Sequence, residues 1–317
     1  MSTESFHLDA EQIYKHINFP GLINALALMH REPAADLKDL LLEQQGETEK
    51  NYCLIRAAWQ KGSGLGVKIA SVFPSNQTID LPAIHAAYVL FDGKTGVPTR
   101  SIDGTALTYL KTAADSALGS QLLAKPGSRN LLMVGAGAMA PYLIEAHCAS
   151  NPTIDSIKVW NRSTGRRDKL VSDLSQKFAI EATDDLAQSA AWADIICSAT
   201  MTCEPIILGH WLTAGTHVDL VGAFRKDMRE ADDQTLSRAK IFVDSRATTI
   251  EEIGELIIPI EKGVITKDDI QADLFELCSG VSGRRESSDI TVFKNGGGGH
   301  LDLMTATYIE KCFRSIT

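Results

Sequence analysis

A lysine inside an apolar segment is the first sign of chemistry in this chain. Lys68 interrupts the run 65–70 (LGVKIA), whose residue types are typical of a β-strand. A buried ammonium group without a partner is costly, so a lysine at such a position is seldom accidental. We interpret Lys68 as a functional cation that binds a carboxylate or relays a proton. The alternative is a structural lysine whose charged end reaches solvent.

A glycine-rich turn indicates a second site. The apolar run 131–134 (LLMV) leads directly into 135–140 (GAGAMA), a GxGxxA pattern at a predicted strand-to-helix junction. Gly135 permits the tight turn, Gly137 lets the backbone approach a pyrophosphate, and Ala140 allows close helix–strand packing. Amide groups at the start of the helix then face the phosphates. A purely structural glycine turn is the alternative. The predicted dinucleotide contacts are Gly135, Ala136, Gly137, Ala138 and Met139.

The end of the next predicted strand indicates which dinucleotide binds. NAD enzymes usually place Asp or Glu there to bind the ribose 2′-hydroxyl, but this chain has Asn161 followed by Arg162. The missing carboxylate removes repulsion toward a 2′-phosphate, which an arginine can bind. We predict NADPH in preference to NADH, with NADH still possible; arginines that only begin a solvated helix are the alternative. The predicted contacts are Asn161, Arg162, Ser163 and Arg166.

Two later strands should reach the same crevice, because ligands of open parallel sheets lie at the carboxyl ends of the strands. The predicted strand 195–198 (IICS) runs into Ala199 and Thr200, and the next predicted strand ends in 220–224 (LVGAF). For Thr200, an ordinary strand-end role is equally compatible with the pattern. The predicted contacts are Ala199, Thr200, Val221 and Gly222.

The elements that must position these residues fall into two groups. Residues 19–30 predict a helix, residues 52–59, 65–73 and 84–91 predict strands, 92–96 a hairpin turn, and 105–124 a helix of small residues. From Asn130, short strands ending near residues 134, 160, 198, 221 and 244, with a weaker one at 178–182, alternate with helices, which predicts a parallel sheet. A glycine run and a last helix, 300–315, follow. We predict an α/β chain: a Rossmann doubly wound sheet over 126–297, and a discontinuous α+β domain formed by 1–125 with 298–317.

Composition excludes several functional classes. The net charge of −9 argues against a nucleic-acid surface. No apolar run of about 18 residues predicts a membrane span, and the N-terminus has no signal-peptide pattern. The six cysteines are scattered without a CxxC pair, so neither a disulfide framework nor a metal site is predicted. We therefore expect a cytoplasmic protein.

Several segments, in this order, resemble the ornithine cyclodeaminase/mu-crystallin family. The resemblance implies that 1–125 with 298–317 bind substrate and form a homodimer, and that 126–297 bind NAD(P). It also implies one of three activities: cyclodeaminase, alanine dehydrogenase or ketimine reductase. The segments are 66–68 with 73–76, 107–114, 134–137, 221–224 with 228–230, and 293–297 with Asp302 and Leu303.

One departure from the family pattern helps to choose among these activities. Cyclodeaminases carry an acidic residue where this chain has Phe224, which cannot transfer a proton or hold an ammonium group. Cyclodeamination is therefore disfavoured, and an aromatic wall suits the hydrocarbon side of a cyclic imine. Residues 222–230 are also similar to bacterial Δ1-pyrroline-2-carboxylate reductases.

A second departure concerns the substrate carboxylate. The family motif usually has arginine where this chain has Lys111, and lysine keeps the charge but loses the two-pronged geometry. We expect Arg56 to assist Lys111; a surface charge is the alternative for Arg56. Asp302 is interpreted as a residue that stabilises an iminium group or balances Lys68, although a plain helix charge is also possible. We interpret His300 as a helix-start residue.

The resemblance thus implies roles for specific residues. Lys68 and Asp302 are the predicted catalytic residues; Arg56, Lys68, Lys111, Phe224 and Gly296 are predicted at the substrate; Lys111, Thr112 and Asn295 are predicted at the cofactor. The predicted reaction is reduction of Δ1-pyrroline-2-carboxylate or Δ1-piperideine-2-carboxylate to L-proline or L-pipecolate.

Rival functions stay open at this point. They are another activity of the family, a non-catalytic NADPH-binding protein of the crystallin type, and a Rossmann imine reductase whose substrate has no carboxylate.

Overall fold

The computed structural model describes residues 6–46, 49–79 and 81–315. The chain divides into two compact units: unit 1 is Met1–Lys111 with Gly298–Thr317, and unit 2 is Thr112–Gly297. The division falls inside a long helix, whereas the sequence-based boundary was placed after that helix, at residue 125. The roles assigned to the two domains remain predictions.

The described residues form strands, α-helices and short 3₁₀ helices. The strands are β1 (His7–Leu8), β2 (Asp36–Gln45), β3 (Lys50–Gln60), β4 (Gly64–Val72), β5 (Ile84–Asp92), β6 (Pro98–Asp103), β7 (Asn130–Val134), β8 (Ser156–Trp160), β9 (Ile180–Ala182), β10 (Ile195–Ser198), β11 (His217–Leu220), β12 (Lys240–Val243), β13 (Ile270–Asp273) and β14 (Thr291–Lys294). The α-helices are α1 (Ala10–His16), α2 (Phe19–Met29), α3 (Gly104–Leu123), α4 (Ala140–Ser150), α5 (Thr164–Leu174), α6 (Leu186–Trp192), α7 (Asp233–Arg238), α8 (Arg246–Thr249), α9 (Gly254–Glu261), α10 (Leu274–Cys278) and α11 (Gly299–Arg314). Short 3₁₀ helices span Pro74–Ile79, Gly209–Trp211 and Lys267–Asp269.

Unit 1 is built on a mixed sheet in the order β1-β6-β5-β4-β3-β2. Its strands are antiparallel neighbours except β1, which pairs with β6 in parallel. The last helix, α11, packs on β3 and β4 and against α2. The predicted hairpin is confirmed: the Asp92 carboxylate accepts hydrogen bonds from the amides of Lys94 and Thr95, and Gly96 has a positive φ of 71°.

The other face of this sheet is apolar and partly exposed. Leu40, Ile55, Ile69 and Ala87 lie opposite one another across four neighbouring strands. Because side chains alternate along a strand, Ile69 points away from the face that carries its neighbour Lys68. Leu40, Ile69 and Trp59 are about half exposed. We call this surface the apolar sheet face.

Unit 2 contains a parallel sheet whose described strands run in the order β13-β12-β14-β11-β10-β7-β8-β9. The predicted α/β class and Rossmann sheet are confirmed, and every strand predicted between residues 130 and 244 is present. The sequence did not predict β13 or β14, nor β2 in unit 1. Strand β14 lies between β11 and β12, in the interior of the sheet. None of the described helices combines the length and apolarity needed to cross a bilayer.

Candidate active site

Three charged side chains of unit 1 form a buried group, which we call the lysine cluster: Lys68, Lys111 and Asp302. The Lys68 Nζ atom lies 3.0 Å from Asp302 Oδ1 and 2.9 Å from Oδ2. The Lys111 Nζ atom lies 2.7 Å from Asp302 Oδ1 and donates to the Gly298 carbonyl oxygen at 3.1 Å. The structure thus brings together three residues for which the sequence predicted related roles.

Local packing explains why Lys68 reaches Asp302. Lys68 and Tyr88 are opposite one another in the β4–β5 pair, on the sheet face that α11 covers. A Cβ atom on Gly66 would lie 1.7 Å from the Tyr88 hydroxyl oxygen, so only glycine leaves room for the ring there. A Cβ on Gly64 would lie 3.2 Å from Leu303 Cδ1. These two glycines let Tyr88 and α11 pack closely on the sheet, and the first turn of α11 carries Asp302.

The electrostatics of the lysine cluster are unbalanced. Burial raises the pKa of Asp302, but Lys111 and Lys68 outweigh burial and lower that pKa to about 2. Burial, together with the charges of Lys68 and Arg56, lowers the pKa of Lys111 to about 7 despite the attraction of Asp302. Within the described residues, the cluster sets two ammonium groups against one carboxylate. A second anion would balance the surplus positive charge.

Arg56 lies beside the cluster but has its own partner. It is opposite Lys68 in the β3–β4 pair, and its Nε donates to Asp39 Oδ2 at 2.8 Å on the neighbouring strand β2. The stem of Arg56 packs close to Gly299, where an added Cβ would lie 3.1 Å from Arg56 Cγ. The Arg56 side chain is about one quarter exposed. Its predicted contact with a substrate carboxylate would have to compete with Asp39.

His300 lies in the first turn of α11 and is buried. Its ring centroid is 6.1 Å from that of His30, in an edge-on arrangement. Burial lowers the pKa of His300 to about 3, and the nearby His30 and Lys111 lower it as well. A histidine that stays neutral at physiological pH is a poor proton donor.

The glycine turn of unit 2 has the geometry expected for a phosphate-binding loop. Gly135 has a positive φ of 105°, and an added Cβ would lie 2.7 Å from the Ala199 carbonyl oxygen. At Gly137 an added Cβ would meet no described atom within 4 Å, so it would project into open space. Helix α4 follows, and its N-cap residue, Met139, makes no side-chain capping hydrogen bond. The Ala140 amide donates to the Gly137 carbonyl oxygen at 3.0 Å, and Pro141 has no N–H group, so an anion would be bound by the amides of the turn before α4.

This turn forms one wall of a cavity of about 310 Å³ in unit 2. Arg162 and Arg166 line it, both are exposed, and neither has a hydrogen bond or ion pair within the described ranges. Asn161 Oδ1 accepts a hydrogen bond from the Ala136 amide at 3.0 Å, and its Nδ2 donates to the Ser163 carbonyl oxygen at 2.8 Å. The cavity residues are Gly135, Ala136, Gly137, Trp160, Asn161, Arg162, Arg166, Ala199, Thr200, Met201, Thr202 and Ile206.

The ends of β10 and β11 are joined by a residue that the sequence pattern did not single out. Ala199 and Thr200 line the cavity as predicted, and the Val221 amide donates to the Ser198 carbonyl oxygen at 2.8 Å. The Gly222 amide donates to the carboxylate of Glu230 at 2.5 Å. Glu230 was visible in the sequence only as part of the family resemblance, without a role.

Four other predicted contacts lie in unit 2 and have structural partners. Phe224 is more than half exposed, and the guanidinium carbon of Arg225 lies 5.7 Å from its ring centroid. The Asn295 side-chain amide donates to the Thr112 carbonyl oxygen at 3.0 Å. The Gly296 amide donates to Asp244 Oδ2 at 3.0 Å. These contacts leave the predicted ligand roles of Phe224, Asn295, Thr112 and Gly296 untested.

His147, Cys197 and Asp219 form a buried group in the core of unit 2, with their potential metal-ligand atoms within 4.8 Å of one another. Asp219 Oδ2 accepts hydrogen bonds from His147 Nε2 at 3.0 Å and from Cys197 Sγ at 3.2 Å. Asp219 Oδ1 accepts one from the Ser116 hydroxyl at 3.0 Å. The distances are those of a hydrogen-bond network among side chains.

Unit 2 alone defines a class: it has the Rossmann fold, with a glycine turn at the first βα junction of a parallel sheet. The whole chain can be placed more closely. The model of the ornithine cyclodeaminase/mu-crystallin family matches residues 47–315, and the chain belongs to this family.

Individual relatives are similar over nearly the whole chain. A Δ1-pyrroline-2-carboxylate reductase of Paracoccus denitrificans is 45% identical over 297 residues, which cover 93% of each chain. A reductase of the same name from Colwellia psychrerythraea is 36% identical and covers 96% of this chain and 98% of its own. The solved structure of the Thermococcus litoralis Δ1-pyrroline-2-carboxylate reductase, in complex with NADH and L-proline, has a TM-score of 0.90 at 29% identity, and the match covers 98% of each chain.

Proposed function

We propose that this protein reduces the C=N bond of a cyclic imino acid, Δ1-pyrroline-2-carboxylate or Δ1-piperideine-2-carboxylate, to L-proline or L-pipecolate. The names of its relatives support this activity. The observation that carries the proposal is the lysine cluster, where Lys68 and Lys111 share a single described carboxylate, that of Asp302. A buried excess of positive charge is costly, and a substrate carboxylate would balance it.

The protein's own residues hold the substrate and manage one proton. Lys111 and Lys68 bind the carboxylate, which orients the ring, and orientation lowers the barrier by removing the entropy cost of alignment. Asp302 fixes both ammonium groups and stabilises the positive charge of a protonated imine nitrogen. Lys68 delivers the proton to that nitrogen. The nicotinamide cofactor, when bound, supplies the hydride.

The glycine turn and the two free arginines hold the cofactor in this proposal. The amides after Gly137 bind the pyrophosphate, and the open space where a Cβ of Gly137 would lie accommodates it. Arg162 and Arg166 bind a 2′-phosphate, and Asn161 places no negative charge beside it. NADPH is therefore the preferred cofactor, and NADH is the alternative.

The activity is tested by following cofactor oxidation with each cyclic imine. We expect the Lys68→Met variant to lose kcat/KM by about 100-fold or more, the usual contribution of a proton-transferring residue. The matched control is Lys50→Met, which removes an exposed lysine paired with Glu43 in the same unit and should leave kcat/KM unchanged. Absence of oxidation with both imines, or equal rates with imines that have no carboxylate, would contradict the proposal. Ammonia release from ornithine, lysine or alanine would favour a rival activity of the family.

The cofactor preference has its own test. Arg162→Ala and Arg166→Ala should raise KM for NADPH about ten-fold, the order expected for a lost hydrogen bond to a charged group. KM for NADH should stay constant, because NADH has no 2′-phosphate. Arg129→Ala is the control, since Arg129 is exposed and paired with Asp155. Equal changes with the two cofactors would refute the assignment.

We also propose a homodimer, formed by the apolar sheet face of two copies. Exposed contiguous apolar surface of this kind is typical of an interaction site. Ile69→Asp at its centre should convert the dimer to a monomer in sedimentation analysis. Leu28→Asp, at an exposed apolar residue of α2, should not. A wild-type protein that sediments as a monomer would rule the dimer out. The cytoplasmic location remains a prediction.

A further inference from the structure

A fully buried carboxylate joins the ends of two strands beside the unit 2 cavity. Glu230 Oε1 accepts three hydrogen bonds of 2.7 Å, from the Ser198 hydroxyl and from both the amide and the hydroxyl of Thr200. Glu230 Oε2 accepts one from the Gly222 amide at 2.5 Å. Ser198 is the last residue of β10, and Gly222 lies just beyond the end of β11. One side chain therefore cross-links two strands at their carboxyl ends.

Thr200 is the point where three strand ends meet. An added Cβ on Gly135, after β7, would lie 3.2 Å from Thr200 Cγ2. An added Cβ on Gly222 would lie 1.9 Å from the Thr200 carbonyl oxygen. The turn that is expected to carry the pyrophosphate is thus packed directly on Thr200. Any displacement of Thr200 would move the wall of the cavity, which Thr200 and Gly135 both line.

The backbone of Glu230 is held by a second buried carboxylate, that of Glu255. The Glu255 carboxylate accepts hydrogen bonds from the Glu230 amide at 2.7 Å and from the Ala231 amide at 3.0 Å. The charge of Lys294, buried nearby, stabilises the Glu230 carboxylate. The backbone of Glu230 and its carboxylate are therefore both held by hydrogen bonds. The carboxylate can in turn hold Thr200 in a fixed position.

We propose that Glu230 is a positioning residue for the nucleotide: it clamps Thr200 against the glycine turn and so sets the shape of the cofactor cavity. This inference rests on the nucleotide binding in the proposed function, and it is independent of the imino acid substrate. Glu230 does not line the cavity, and it acts through Thr200 and Gly222.

The direct test is Glu230→Gln, with the dissociation constant of NADPH measured by fluorescence titration. The glutamine side chain keeps one acceptor oxygen for Ser198 and Thr200 but presents an NH₂ group to the Gly222 amide, so the cross-link breaks. We expect the dissociation constant to rise about ten-fold or more, in line with loss of a hydrogen bond to a charged group. The KM for the imino acid should change less than the NADPH dissociation constant, because the described partners of Glu230 do not include Lys68, Lys111 or Asp302.

The matched control is Asp219→Asn. Asp219 is also a fully buried carboxylate in the sheet of unit 2, but its partners, Ser116, His147 and Cys197, do not line the cavity. This variant should lower the melting temperature and leave the NADPH dissociation constant within about two-fold, because neither Asp219 nor any of these partners lines the cavity. Equal losses of NADPH affinity in the two variants would overturn the proposal, because the effect would then be general loosening of the fold.

A second pair of variants covers the case in which Glu230→Gln does not fold. Thr200→Val removes only the hydroxyl that donates to Glu230, whereas Thr200→Ser keeps that hydroxyl and loses the methyl group. We expect NADPH binding to weaken about three-fold or more in Thr200→Val, for the loss of one hydrogen bond, and to weaken less in Thr200→Ser, which keeps that hydrogen bond and loses only the methyl group near Gly135. Identical affinities for these two variants would also overturn the proposal. A wild-type protein that binds no nucleotide would instead refute the proposed function.

Discussion

The two units each bury an ionic cluster, and the clusters have opposite imbalances. In unit 1, Lys68 and Lys111 share the carboxylate of Asp302. In unit 2, the ammonium group of Lys294 lies among carboxylates, those of Glu230, Glu255, Asp244 and Asp219. Both groups are removed from solvent, so neither imbalance is relieved by water. The difference between them is in how the surplus charge is satisfied.

The surplus carboxylates of unit 2 are satisfied by the protein itself. Asp244 accepts hydrogen bonds from the amides of Gly296 and Gly297, and Glu255 from those of Glu230 and Ala231. Backbone donors stabilise a carboxylate without adding a charge. An ammonium group can be stabilised in a similar way by neutral acceptors such as backbone carbonyl oxygens. Among the described residues, the lysine cluster has one such hydrogen bond, from Lys111 to the Gly298 carbonyl oxygen. The carboxylates of unit 2 thus find their donors within the chain, whereas the lysine cluster of unit 1 keeps a surplus positive charge, for which we propose the substrate carboxylate as partner.

The largest expected effect comes from removing the shared anion of unit 1. Asp302→Ala leaves two ammonium groups unpaired, so we expect the free energy of unfolding to fall by about 3–5 kcal/mol, as for other broken buried pairs. Denaturant unfolding followed by circular dichroism measures this change. Asp39→Ala, which breaks the partly exposed pair with Arg56, should cost no more than about 1 kcal/mol. Similar losses in the two variants would show that the lysine cluster is not an essential buried pair.

Removing the single cation of unit 2's cluster should cost less. Lys294→Met leaves carboxylates that keep their amide donors, so we expect a loss of about 1–3 kcal/mol, the usual penalty for one unsatisfied polar group. Burial raises the pKa of Glu255 to about 7 and that of Asp244 to about 6. A buried carboxylate whose pKa is raised destabilises the folded state as the pH rises toward that pKa and the group ionises. The loss of unfolding free energy caused by Lys294→Met should therefore be larger at pH 8 than at pH 6. A loss as large as that of Asp302→Ala would break the comparison.

A smaller effect should appear in the pH dependence of the proposed activity. The pKa of Lys111 is lowered to about 7, so Lys111 loses its charge above that pH and kcat/KM for the imino acid should fall by up to about ten-fold per pH unit. Lys111→Arg stays charged and should keep kcat/KM constant to higher pH. A profile unchanged by this substitution would assign the pH dependence to another group. The pKa of Lys111 is lower in the folded chain than in the unfolded chain. The free energy of unfolding should therefore increase as the pH rises from about 7 to about 10.

The smallest expected effect concerns a hydroxyl beneath the lysine cluster. No described group hydrogen-bonds the buried Tyr88 hydroxyl, and burial together with the charge of Asp302 raises its pKa above the usual value. Tyr88→Phe removes an unsatisfied polar group, so the variant should be as stable as the wild type or more stable by about 1 kcal/mol. Tyr52→Phe, on β3 of the same sheet, should leave the stability unchanged. A destabilised Tyr88→Phe would indicate that the hydroxyl has a partner in solution.

The sequence singled out candidate site residues wherever a local pattern carried the information. Lys68 stood out because the residues on either side of it in the sequence are apolar. The glycine turn stood out because a strand pattern, a turn pattern and a helix pattern follow one another there. The contact between Lys68 and Asp302 joins residues 234 positions apart, and only the family resemblance suggested that they act together.

Other features could not be predicted from local pattern. Strand β2 is exposed along both faces, so it has no alternation of apolar and polar residues to reveal it. The four residues of β14 are too few for a periodic signal. In the sequence Glu230 looks like an ordinary charged residue. Its proposed positioning role depends on hydrogen-bond partners at the ends of two strands, β10 and β11. Tertiary contacts of this kind are invisible to spacing arguments.

The central position of β14 has a consequence for how the chain is made. Residues 291–294 insert between two strands that end by residue 243, so both of these strands are synthesised well before the strand that joins them. Until then β11 and β12 present unpaired edges, which are prone to pair with other nascent chains. Slow elongation over residues 244–290 would lengthen the time for which these edges are exposed. The nascent chain should then depend more on chaperones.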